Sequence, residues 1–97
     1  MGTTTEIDYI TIASVGNAAD FGDLTTSAQV NLGSVSSGTR GVWGGGNTAG
    51  TEYVDIHYIT FATLGNSADF GDIQLAARQP NGVSNGTRGV FCGGYAD

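Results

Sequence analysis

Ile7-Asp8-Tyr9-Ile10-Thr11-Ile12-Ala13-Ser14-Val15-Gly16-Asn17-Ala18-Ala19-Asp20-Phe21-Gly22-Asp23-Leu24 returns 49 residues later as Ile56-His57-Tyr58-Ile59-Thr60-Phe61-Ala62-Thr63-Leu64-Gly65-Asn66-Ser67-Ala68-Asp69-Phe70-Gly71-Asp72-Ile73, with 12 of the 18 positions identical. Farther on, Gly38-Thr39-Arg40-Gly41-Val42 matches Gly86-Thr87-Arg88-Gly89-Val90, and Gly45-Gly46 matches Gly93-Gly94, now at an offset of 48. One residue has been lost between Thr26 and Val83. Chance does not produce this in a chain of 97 residues. The chain is two copies of one unit, repeat 1 at about 1–48 and repeat 2 at about 49–97, a period typical of arrays and propellers.

Inside the unit the local patterns favour strand. Ile7 to Ala13 is rich in β-branched and aromatic residues, with apolar side chains on both faces, as in a sheet packed between two neighbours. A turn follows at Gly16-Asn17. Phe21 to Thr25 reads as an edge strand, Val30 to Val35 as a third and Thr39 to Trp43 as a fourth, ended by Gly44-Gly45-Gly46. Asn85-Gly86 is the signature of a two-residue type I′ hairpin, and Ser37-Gly38 holds the equivalent place. No stretch carries a 3.6-residue period, so the expectation is an all-β chain without helix.

Composition narrows the functional classes. Leu, Ile, Val and Phe number only 21, a thin supply for a self-sufficient core, and the single Cys rules out a disulfide within the chain. A net charge of −6 with three basic side chains argues against nucleic acid or anionic membrane as partner, because both are bound through Lys and Arg. The N-terminal stretch has no basic and apolar leader, and no apolar run approaches a membrane span, so the expectation is a soluble protein, its location unknown and a virion one setting for it.

Four short strands in about 49 residues match a propeller blade. A strand ending in Gly-Gly, an aromatic-containing strand, an aromatic after a turn and then a basic residue resemble the kelch-type arrangement. Here these are Arg88 to Gly94, Ile56 to Phe61, Phe70 and Arg78. The unit also resembles glycine-rich tandem repeats of bacteriophage and marine viral proteins. Phe21 and Phe70 stand where kelch blades carry Trp, and the first copy has no counterpart of Arg78. The resemblance implies a β-propeller of four-stranded blades, two blades per chain.

Two blades do not close a ring. If kelch strand order holds, Met1 to Thr26 supplies the third and fourth strands of one blade, about 28–75 makes an intact blade, and 78–97 supplies the first and second strands of another. The nine residues from Asn47 to Asp55 are matched by the three after Gly94 together with the six before Ile7 of a following chain. The expectation is a head-to-tail cyclic homo-oligomer: a trimer with six blades first, then a tetramer with eight or a dimer with four.

The sequence marks few candidate sites. Asp20, Asp23, Asp69 and Asp72, beside Asn17 and Asn66, are the one group resembling a calcium site, but Asx residues at turns commonly bond their own backbone, so no metal or other cofactor is expected. Arg40 and Arg88 recur in a Thr-Arg-Gly context and are expected to pair with the Asp-Phe-Gly-Asp carboxylates. Trp43 and Phe91 are expected to fill the space between blades, and Tyr9, Tyr58, Phe21 and Phe70 are read as structural residues of the repeat. His57 replaces Asp8 and has no partner pattern for catalysis. Cys92 replaces Gly44 and is expected to be a buried small residue. No nucleophile elbow, zinc-protease or phosphate-loop motif is present. The reading is a non-enzymatic self-assembling repeat module, a fragment of a viral-type protein, whose partner is itself. The alternative is a propeller module that binds a glycan or surface protein through rim loops such as Asn47 to Thr51.

Overall fold

Alternating β-branched and small residues, cut every few positions by glycine, form short antiparallel strands. The computed structural model describes residues 4–25, 31–48 and 50–95. Among these residues the chain is all β, with no helix. A four-stranded antiparallel sheet occupies the middle: β3 (Gly33–Ser36), β4 (Arg40–Gly44), β7 (Asp55–Thr60) and β8 (Ala68–Asp72), in that spatial order. A two-residue hairpin, β5 (Asn47–Thr48) with β6 (Thr51–Glu52), interrupts the connection from β4 to β7. Two further hairpins flank the sheet: β1 (Glu6–Tyr9) with β2 (Ala19–Asp23), and β9 (Asn81–Ser84) with β10 (Gly89–Cys92).

The repeat is visible in the backbone as well as in the sequence. β1–β2 and β7–β8 carry the same register, with the same irregularity between Ile7 and Asp8 and between Ile56 and His57. Tyr9 meets Phe21 edge-on at 5.9 Å and 81°, and Tyr58 meets Phe70 at 6.0 Å and 82°. Asn31 (φ 60°) and Gln79 (φ 58°), equivalent at the offset of 48, both adopt the left-handed conformation that non-glycine residues seldom take. The Gln79 amide donates to the Asn31 carbonyl at 2.7 Å, tying the two copies together at equivalent points.

Strand ends differ from the sequence reading where a neighbour is missing. β7 runs to Thr60 because its far half pairs with β4, Arg40 opposite Thr60 and Gly41 opposite Ile59. β1 has no such partner, and it stops at Tyr9 instead of continuing to Ala13. The second strand starts at Ala19, two residues earlier than expected, because it pairs with Tyr9 there. Of the expected third strand, Gly33 onward is seen, and Val30 lies outside the described residues.

The hairpin turn is also not type I′. Asn85 N donates to Arg88 O, which makes Gly86-Thr87 the central pair, and only Gly86 has a positive φ (99°). That is the pattern with glycine first, as in a type II′ turn. Asn85 serves from the side: its Oδ1 accepts from Thr87 N at 3.0 Å and Arg88 N at 2.9 Å. Ser37 Oγ does the same for Thr39 N and Arg40 N in the first copy. Asn85→Ala should therefore lower stability by about 1 kcal/mol, read as a shift in the urea midpoint without a change in slope.

The interior is thin. Phe21, Ile56, Ala77 and Pro80 are the buried apolar side chains among the described residues, and the largest fully buried side chain is the polar His57, only 1% exposed. Ile12 and Val15 are almost wholly exposed, and Leu64, Phe70 and Val83 are more than half exposed. A large share of the apolar side chains of this small chain thus lies open.

Candidate functional site

Two grooves beside the central sheet take in Ile12, Leu64 and Phe70 of that open apolar surface. The first, ≈ 510 Å3, lies between the sheet and the β9–β10 hairpin, walled by Val42, Ile56 and Phe70 on one side and Gly89 and Phe91 on the other. The second, ≈ 600 Å3, lies where Ile7, Tyr9 and Ile12 face Ile59, Phe61 and Leu64. The bare edge of β10 borders the first groove, and the bare edge of β1 borders the second. An unpaired edge beside an apolar groove is a template for another strand.

The contact between the β1–β2 hairpin and the sheet shows how one unit holds the next. The segment Gly65-Asn66-Ser67 runs along β2: Gly65 N donates to Phe21 O and Ser67 N to Asp23 O, both at 2.9 Å. Asn66 Oδ1 accepts from Asp23 N at 3.0 Å, and Ser67 Oγ accepts from Thr25 N at 3.1 Å. The fit depends on Gly22, since a Cβ there would run into the Gly65 carbonyl. Covered in this way, Phe21 is 6% exposed. Its repeat equivalent Phe70 has the equivalent partner, Tyr58, but no such cover, and is 55% exposed.

The other sequence candidates fall as follows. Arg40 makes no ion pair among the described residues; its guanidinium carbon lies 4.3 Å above the Tyr58 ring, a cation–π contact, so the expected pairing with Asp-Phe-Gly-Asp carboxylates is not made. Arg88, just before β10, makes none either among the described residues. The ion pair that does form joins Arg78 Nε to Glu52 Oε2 at 3.8 Å, and Arg78 also lies over Tyr95 at 5.6 Å. Trp43 is half-buried in β4, opposite Ser34 and His57, while Phe91 reaches from β10 over Gly44.

Cys92 is exposed, contrary to expectation, because Gly44 at the equivalent place lies between β3 and β7 whereas Cys92 pairs with β9 alone. The carboxylates pair across strands in twos, Glu6 opposite Asp23, Asp8 opposite Asp20 and Asp55 opposite Asp72. Asp69 lies opposite His57. Among the described residues no three His, Cys, Asp or Glu side chains converge. Asn47, from the expected rim loop, is 8% exposed and accepts from Asn31 Nδ2 at 2.9 Å. Among the described residues no helix is long and apolar enough to cross a membrane.

Sequence reasoning missed the clamp of Gly65, Asn66 and Ser67. Its signal was present, because Gly-Asn recurs at 16–17 and 65–66, but the pair reads as a simple turn when no partner strand is in view. In comparisons with protein-family models, curated proteins and solved structures, this chain matches none.

Proposed function

We propose that this chain is a non-enzymatic, self-assembling β-propeller repeat module whose activity is to build a ring from copies of itself. One observation carries the reading: the chain holds one complete four-stranded sheet between two hairpins that correspond, by the repeat, to its first two and last two strands. β9 and β10 are the equivalents of β3 and β4, and β1 and β2 of β7 and β8. A hairpin of each kind, from two copies, makes up the set of strands found in the central sheet. The kelch-like glycine pattern supports a blade as the unit, and a head-to-tail contact between copies closes at a fixed number. Three chains and six blades is the preferred count, with four chains or two as the other closures.

Light scattering on the purified chain tests this. The expected mass is a whole multiple of the 9.8 kDa chain, three being preferred. On dilution the multimer should dissociate and the β-sheet signal should fall with it, because the grooves lose their cover. A folded monomer at every concentration would overturn the reading.

A further inference from the structure

We infer that the joint between copies is one continuous four-stranded sheet of fixed register, in which β1 of a second copy pairs with β10 and Gly16-Asn17 of that copy clamps β8. The inference rests on the self-assembly reading and names its partner surface: a second copy of this chain, seated in the groove between Phe70 and Phe91.

The register follows from the copy of this joint that lies inside the chain. β4 pairs with β7 as Val42 opposite Tyr58, Trp43 opposite His57 and Gly44 opposite Ile56. Moving each residue to its repeat equivalent places Val90 opposite Tyr9, Phe91 opposite Asp8 and Cys92 opposite Ile7, with the first of each pair on one copy and the second on the other. Arg88 then stands to Tyr9 as Arg40 stands to Tyr58, its guanidinium over the ring. Both β1 and β10 are shorter than β7 and β4 by the residues that this pairing would add.

The clamp transfers in the same way. Gly65 N to Phe21 O becomes Gly16 N to Phe70 O, and Asp23 N to Asn66 Oδ1 becomes Asp72 N to Asn17 Oδ1. Residues 16 and 17 are fully available, being exposed, and a Cβ at Gly71 meets nothing within 4 Å, whereas its equivalent Gly22 is tightly covered. The ring of Phe70 would gain the cover that Phe21 already has. Not every contact is duplicated: Ala18 replaces Ser67, so the serine bond to the backbone is lost. Ser34 also presents a Cβ where Gly82 has none, so β9 of the preceding copy stacks on β3 less closely than β9 stacks within the chain.

Ile7→Cys tests the register against native Cys92, the chain's single cysteine. Under mild oxidation this variant should give covalent multimers up to the full ring. Ile10→Cys, placed opposite Gly89 and out of disulfide reach of Cys92, should give no such ladder. Asn17→Ala should weaken association by about five- to tenfold for the lost bond while leaving the β-sheet spectrum of the assembled protein unchanged. If multimers form but Ile10→Cys crosslinks as well as Ile7→Cys, or Asn17→Ala associates as tightly as the parent, the joint is wrong and the self-assembly reading stands. A folded parent chain that stays monomeric overturns both.

Discussion

Phe21→Ala should cost the fold about 3–5 kcal/mol, and Phe70→Ala should cost nearly as much once copies have assembled. The two rings are repeat equivalents, each edge-on to a tyrosine, yet one is 6% and the other 55% exposed. In an isolated chain, removing a ring already half in water changes stability by only about 0.5 kcal/mol. In the proposed ring, Phe70 would lie under residues 16 and 17 of the next copy and its loss would leave a cavity there. Urea unfolding at two protein concentrations separates the cases. The Phe21 variant should be weak at both, whereas the Phe70 variant should approach the parent on dilution and fall well below it when concentrated. A Phe70 variant as stable as the parent at every concentration would tell against the covered joint.

Gly22→Ala is the second large effect. The new methyl group has no room beside the Gly65 carbonyl, and both atoms belong to backbone that is held by the bonds from Gly65 N and Ser67 N. Overpacking of this kind costs about 1–3 kcal/mol, and parting the clamp adds to it. Each kcal/mol lowers the melting temperature by about 4–8 °C in a domain of this size. Gly65→Ala and Gly16→Ala are the controls, because a Cβ at either meets nothing within 4 Å in the chain. Scanning calorimetry on the three variants should show a large drop for Gly22→Ala and almost none for Gly65→Ala. Gly16→Ala should likewise leave the thermal unfolding of the dissociated chain unchanged.

Much of this architecture is legible in the sequence, because a repeat imposes its order twice. The all-β class follows from the alternation of Ile7 to Ala13 and from the glycines that break every longer period. The location of the longer strands follows too, within four residues at their ends, whereas the short β5–β6 hairpin is not foreseen. Most of what escaped is set by contacts between segments distant in the chain. Cys92 looks like a buried small residue because Gly44 is one, but burial belongs to the neighbouring strand and not to the position. Arg40 looks like a carboxylate partner because acids are abundant, whereas the nearest suitable surface is the face of Tyr58. Asn66 looks like a turn residue and proves to be an acceptor for a strand 43 positions away. The Asn85 turn shifted by one residue because a side-chain acceptor, more than the Asn-Gly pair itself, decides where the chain reverses.

The irregular step between Ile7 and Asp8, and again between Ile56 and His57, has a geometric consequence. Such a step increases the local twist, and here it falls at the same point of both copies of the unit, so in the proposed ring each unit would turn its successor through a similar angle. In a closed assembly those angles must sum to one full revolution. A copy that docks one residue out of register inverts the faces of its strands and arrives at the final gap out of phase with the first. In the proposed ring, closure would thus act as a proofreading step, since only copies docked in register would leave no edge on which growth could continue.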